Sequence, residues 1–358
     1  MNTGVTSDEQ LRVLLAHAEK TEQQDRPTPE SLEAARQGGA FALRTPARHG
    51  GAEANAETLA RRLAVLGRAC PATAWIAGTC ATAKTLAALA YDVKVLADLF
   101  ADPDALACGS GVPAARGERL PDGSVRVTGR WPNVSGCEDA AWAGLALMCD
   151  GVYSTALIPL EDLSVERTWH MAGMRGTGSH TLVATDLLVP AGRVVSADPP
   201  APATRLLFAL TVLGPVVGAA RGALDVTRTM FASDRKPFMT AYSRMGESAG
   251  ARHWLAEAAH LVDRAERTML AVARAADSRE GAAADTARLA MDLADAGRDC
   301  RAALERMLDL HGASGFATAN PLQRYWRDVA VGSRHPHLNP YLATENLGSA
   351  LVDAHPER

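Results

Sequence analysis

Pro121-Asp122-Gly123-Ser124-Val125-Arg126-Val127-Thr128 is where the apolar period of this chain becomes that of a strand. Pro-Asp-Gly is a hairpin-type turn, and Val125 and Val127 alternate with Arg126 and Thr128 as one buried face of a pleated strand requires. Residues 153–159 and 181–190 read the same way, so 105–197 is expected to form a β domain of about a hundred residues. On both sides the period is helical. Residues 9–19, 29–40, 57–68 and 72–89 carry it upstream, broken by turn signals such as His49-Gly50-Gly51. Downstream of the linker Asp198-Pro199-Pro200-Ala201-Pro202 it returns through 253–276 and 282–311. The order is therefore α–β–α, with expected domains 1–102 (helical), 103–200 (β) and 201–358 (a helical bundle). A cleft is expected at the junction of the helical and β parts.

With 358 residues, 47% hydrophobic and 22% charged, the chain can bury a large core. A formal net charge of -4, with no run of Lys or Arg, leaves no surface for neutralising phosphates, so nucleic acid is not an expected partner. The longest apolar run, 206–220, contains Thr211, Gly214 and Pro215 and falls short of the roughly 20 residues of a bilayer span. The N-terminus lacks the basic and apolar regions of a secretion signal, and none of the six cysteines forms a C-x-x-C pair; a cytoplasmic location with reduced thiols is expected. Gly214, Gly218 and Gly222 recur every four residues and should give one helix a flat face for another backbone.

Common catalytic signatures are missing: no G-x-S-x-G elbow, no phosphate-binding P-loop, no H-E-x-x-H helix. Gly176-Thr177-Gly178 does not complete a dinucleotide fingerprint and precedes a strand-like run, so the chain shows no nicotinamide site of its own. His335 and His337 form an H-x-H pair without a neighbouring carboxylate or Cys, and no metal is expected there.

Several segments together resemble the acyl-CoA dehydrogenase superfamily, and within it the two-component (group D) flavin-dependent monooxygenases. Arg44-Thr45-Pro46-Ala47-Arg48-His49-Gly50-Gly51 and Cys70-Pro71-Ala72-Thr73-Ala74-Trp75 are similar to N-terminal signatures of that family. Gly129-Arg130-Trp131-Pro132-Asn133-Val134-Ser135-Gly136-Cys137 and Trp169-His170-Met171-Ala172-Gly173-Met174-Arg175-Gly176-Thr177-Gly178-Ser179 resemble its two flavin-lining strands. Arg235-Lys236-Pro237-Phe238 resembles an element whose Arg reaches a flavin phosphate, often in a neighbouring subunit, and His311-Gly312-Ala313-Ser314-Gly315 resembles a Gly-rich loop beside the cofactor. The longest match is Pro321-Leu322-Gln323-Arg324-Tyr325-Trp326-Arg327-Asp328 with His335 seven residues on.

The resemblance implies a helical N-terminal domain, a middle β-barrel or sandwich domain and a C-terminal four-helix bundle, assembled as a homotetramer that is a dimer of dimers. It also implies a flavin, FAD or FMN, held by Trp131, Asn133, Val134, Ser135, Trp169, Arg175, Thr177, Ser179, Arg235, Gly312, Gly315, Arg324 and Asp328. A flavin's N5 and O4 need short polar donors beside a flat apolar wall, which Ser135 and Trp169 would supply.

In dehydrogenases of the superfamily a Glu soon after the Arg-Asp pair removes the α-proton of an acyl thioester. Here those positions fall on His335-Pro336-His337, and Glu345 lies outside the motif. That favours the oxygenase branch. There a separate reductase supplies reduced flavin, oxygen adds at C4a, and the hydroperoxide hydroxylates a substrate. His335 would act as base or hydrogen-bond partner, and Ser135 as a hydrogen bond at N5 and O4. A flavin oxidoreductase acting on acyl substrates and a flavin-free binding protein of the same fold remain open. On the substrate side, Asn133 stands where relatives carry an aromatic, and residues 76–88 offer Thr79, Thr82, Lys84 and Thr85 but no His. Phenols, amines and other secondary metabolites are therefore all open as substrates.

Overall fold

The computed structural model describes residues 7–278 and 283–353. Residues 1–6, on which the reading of the N-terminus largely rests, and Ala282, expected to open a helix, lie outside the described residues. Helices α1 (Asp8–Gln23), α2 (Pro29–Gln37), α3 (Ala56–Ala69), α4 (Pro71–Ala90) and α5 (Val93–Leu99) come first. Their starts are set locally. Ser7 and Gln10 exchange side-chain and backbone bonds in a capping box, and Thr28 caps α2 with Pro29 in its first turn. α3 is capped from far along the chain: the Asp277 carboxylate accepts the Ala56 and Glu57 N–H groups at 2.7 and 3.0 Å.

Among the described residues eight strands follow: β1 (Ala107–Ser110), β2 (Ala115–Arg119), β3 (Val125–Val134), β4 (Trp142–Cys149), β5 (Val152–Pro159), β6 (Ser164–Glu166), β7 (His180–Val189) and β8 (Val194–Ser196). They form one mixed sheet in the order β6-β7-β3-β2-β4-β5-β8, with β1 parallel to β4. Val125 and Val127 are wholly buried on one face of β3, as the alternation predicts, and Trp131 is wholly buried farther along the strand. The register of β3 against β7 breaks between Trp131 and Val134, where Asn133 has a φ of 61°.

The remaining helices are α6 (Pro202–Ala232), α7 (Ala249–Ser278), α8 (Ala283–His311), α9 (Pro321–Gly332) and α10 (Pro340–Asp353). The apolar run at 206–220 is part of the 31-residue α6, with Pro215 inside the helix. By length and composition α6 could cross a bilayer, yet 94% of its apolar window is buried, as in a core helix. Its small-residue face receives α3. A Cβ on Gly214 would lie 2.8 Å from Leu63 Cβ, one on Gly218 2.2 Å from the Ala64 carbonyl oxygen, and one on Gly222 2.5 Å from that of Arg68.

The chain packs as two compact units. One comprises residues 1–55, 75–171 and 175–201, the other 56–74, 172–174 and 202–358. The borders expected at 102/103 and 200/201 fall between elements, but compaction follows a different line, because α3 belongs with α6 and the C-terminal helices.

Candidate functional site

In the unit that contains the sheet, three of the residues expected at a cofactor meet. Ser135 Oγ and Ser179 Oγ are 2.7 Å apart, and Ser179 Oγ and Thr177 Oγ1 2.8 Å apart. Trp75, at the head of α4, donates its indole N–H to Ser135 at 3.2 Å. The backbone holds the cluster together: Gly136 N–H donates to the Thr177 carbonyl, and Gly136 and Gly178 have φ of 71° and 49°. Glycine is needed at 136 on both counts, since a Cβ there would lie 2.8 Å from Ile76 Cγ2. Trp169 is half-buried, and its backbone N–H donates to His180 Nδ1 at 3.2 Å. Asn133 is exposed at the irregularity of β3. An Asn tolerates the left-handed backbone there better than an aromatic would, which gives a local reason for its presence.

In the helical unit, Arg235 and the loop of Gly312 and Gly315 are brought together. The guanidinium donates to the His311 carbonyl at 2.5 Å and to Ser314 Oγ at 2.7 Å. Asn320 holds the loop from the other side, donating to the Ser314 carbonyl at 3.1 Å. Gly312 adopts a φ of 61°, and Gly315 is buried against Leu308, Leu322 and His311. On α9, Asp328 is buried and its carboxylate accepts the Met174 N–H at 2.5 Å, which makes it a residue that positions the 172–174 turn. Arg324, one helical turn earlier, is buried over the Tyr325 ring.

His335 is half-buried at the start of the short 3-10 turn Pro336–Leu338, where its Nδ1 accepts the His337 N–H at 3.3 Å. Its ring lies 5.2 Å from that of His337, which in turn lies 6.4 Å from Phe208. Burial, helped by His337, pushes the His335 imidazole down to about 4, so it is neutral near pH 7, with its hydrogen on Nε2 as a donor.

Sequence comparison places this geometry in a family. A model of the acyl-CoA dehydrogenase C-terminal domain matches residues 210–340. The oxygenase component of the FADH2-dependent resorcinol hydroxylase of Rhizobium sp. (strain MTP-10005) is 30% identical over 95% of this chain and 91% of that protein. The chain belongs to the oxygenase components of the two-component flavin-dependent monooxygenases. Solved members have the same fold. XiaF from Streptomyces sp., determined in complex with FADH2 and glycerol, superimposes with a TM-score of 0.90 at 29% identity, covering 96% of this chain and 93% of its own. The 3-HSA hydroxylase from Rhodococcus sp. RHA1 gives 0.86 at 27% identity, covering 97% and 95%.

Several residues fit a flavin in this oxygenase, and some do not. Nε2 of His311 and Nε of Arg324 are buried without a hydrogen-bond partner among the described residues. Both lie on elements expected at the cofactor, and such orphans suit a polar ligand. Trp131 has to be corrected. It is wholly buried in the sheet core with its indole N–H donated to the Ala146 carbonyl at 2.6 Å, so it shores up β3 and β4 from inside. Val134 is also wholly buried, leaving only its backbone for a cofactor role. Arg175 pairs with Asp25 at 2.7 Å and ties the turn after α1 to residues 175–177. The segment 169–179 is no strand: Met174 has a φ of 53°, and Arg175–Thr177 forms a 3-10 turn before β7 begins. Trp75, His311 and Asn320 were missed as site residues. Trp75 and His311 stand inside recognised motifs, whereas nothing local in the sequence marks Asn320.

Proposed function

We propose that this chain hydroxylates an aromatic small molecule, with molecular oxygen as co-substrate and FAD as the reduced flavin delivered by a separate reductase. The carrying observation is His335, a neutral imidazole one place before the position where a dehydrogenase of this fold would offer a carboxylate. Bound reduced flavin supplies the two electrons that activate oxygen. His335, with Nδ1 held by the His337 N–H, carries its hydrogen on Nε2 and would donate it in a hydrogen bond to the oxygen being transferred to the ring. Ser135 would hydrogen-bond a flavin at N5 and Trp169 would offer it a flat wall, while Arg235 with the Gly312 loop would suit a flavin phosphate, which the resemblance often puts in a neighbouring subunit. The resorcinol substrate named for one relative and the FADH2 bound to another support the aromatic and FAD parts of this reading. We assign it to the cytoplasm as a homotetramer; Phe238 and Met239, 91% and 90% exposed beside Arg235, offer apolar surface to a second copy.

The test is incubation with resorcinol or a related phenol, NADH, FAD and a flavin reductase under 18O2. Product carrying one 18O atom, formed only when the reductase is present, is the expected result. Anaerobic bleaching of the oxidised flavoprotein by an acyl-CoA, without phenol hydroxylation, would overturn the proposal in favour of a dehydrogenase.

A further inference from the structure

The hydroxyls of Ser135, Ser179 and Thr177 form an unbroken row, with successive oxygens 2.7 and 2.8 Å apart, inside a nearly dry setting: their exposures are 7%, 3% and 1%. Hydrogen counting constrains this row. A serine oxygen has, besides its bond to Cβ, room for one hydrogen and two lone pairs. Trp75 Nε1–H can only donate, so one lone pair of Ser135 is permanently committed to it. One hydrogen and one lone pair remain, to be shared between Ser179 and a third direction. If Ser179 donates to Ser135, Ser135 must present its hydrogen in the third direction. If Ser135 donates to Ser179, it must present a lone pair there. Thr177 lets either sense run on without orphaning Ser179, because it can donate to that oxygen or accept from it.

We propose that Trp75, Ser135, Ser179 and Thr177 form a reversible hydroxyl relay that matches the hydrogen-bonding polarity of the flavin in each redox state. The proposal rests on the reading that places Ser135 at flavin N5. N5 of oxidised flavin is a bare acceptor and requires a donor; N5–H of reduced flavin is a donor and requires an acceptor. Reversal of the row converts Ser135 from the first partner to the second by turning hydroxyl rotors alone. No proton passes between the relay and the flavin. Trp75 and Ser179 are thus positioning residues, acting on the cofactor through Ser135.

Removing Ser179 makes the two redox states unequal. In Ser179→Ala, Ser135 can still donate to oxidised N5 and loses only the bond it accepted from Ser179, an unused lone pair being the smaller cost. To accept from reduced N5–H it must turn its own hydrogen towards a methyl group and bury an unsatisfied donor. Anaerobic titrations with FAD and with photoreduced FAD should show Ser179→Ala weakening the reduced form about tenfold, with the oxidised form within about twofold. The midpoint potential of the bound flavin should fall by about 30 mV, the equivalent of tenfold for a two-electron couple. Ser179→Thr, which restores a hydroxyl, should restore both readings. Ser135→Ala is the companion measurement and should weaken both redox forms. If Ser179→Ala lowers both affinities equally, or neither, while Ser135→Ala lowers both, the relay is wrong and the flavin site stands. If Ser135→Ala leaves both affinities unchanged, the placement of Ser135 at the flavin is itself wrong.

Discussion

At the scale of single residues, His335 shows how burial selects one role from two. An exposed imidazole near its ordinary value of ~6.5 would change charge within the working range of an enzyme, whereas one pushed down to about 4, with Nδ1 held by the His337 N–H, stays neutral and presents Nε2–H as a donor. His335→Ala should therefore lower coupled hydroxylation by about 10²–10³-fold, the usual worth of a positioned hydrogen-bond donor, while peroxide release rises and reduced-flavin affinity stays within about twofold. The wild-type kcat/KM should carry an acid limb near pH 4 that the variant lacks; a variant with unchanged coupling would remove His335 from the chemistry. The position of His335 was legible because a long motif fixes its register. Its protonation was not, because that depends on what packs around it. The same distinction explains the misplaced residues. A motif gives the order of side chains along β3, but Trp131 and Ser135, four residues apart, differ in use: one is closed over by Ala146 and its neighbours, the other is hydrogen-bonded by Trp75 from a helix sixty residues earlier.

At the scale of elements, the apolar period placed the helices and strands it singled out to within a few residues, as for α7, α8, β5 and β7, since each buries one face or stripe and the pattern records it. The strand that the resemblance implied at 169–179 is not formed, because Met174 and Gly178 at positive φ, with Gly173 and Gly176, build a turn that side-chain alternation cannot describe. The four-residue spacing of glycines on α6 was the most informative element signal, and it yields a sharp contrast. Gly218→Ala would put a methyl 2.2 Å from the Ala64 carbonyl oxygen, which must separate α3 from α6; it should cost about 1–3 kcal/mol or more in chemical denaturation. Gly348→Ala, inside α10 with nothing within 4 Å of the added Cβ, should instead be neutral or stabilise by up to about 1 kcal/mol through helix propensity. Equal effects at the two sites would show that the close approach of α3 to α6 does not govern this helix pair.

At the scale of the whole molecule, the α–β–α order was legible but the division into compact units was not. Period identifies an element, while its partner is chosen by shape: α3 finds the notched face of α6 some 150 residues downstream, and Asp277 on α7 caps the start of α3. The helical unit assembled in this way buries titratable groups with a collective consequence. His311 is 4% exposed, and burial, with the Arg235 charge second, pushes it down to about 4, the same value that burial and His337 give His335. In the unfolded chain both should titrate near ~6.5. Above that pH neither state binds the proton and folding gains nothing from pH. Between about 6.5 and 4 the unfolded chain takes up protons that the folded one refuses, so stability should be complete above pH 6.5 and fall steadily towards pH 4. His311 alone can account for at most about 3 kcal/mol of that loss. Urea denaturation of wild type and His311→Asn at pH 7.5, 6 and 4.5 measures it. Asn cannot be protonated, so the variant should lose less stability on acidification than wild type, even if Asn lowers stability at pH 7.5 by leaving part of the histidine's volume unfilled. Parallel pH profiles would mean that His311 takes up its proton without unfolding, and the acid sensitivity would then have to come from other groups.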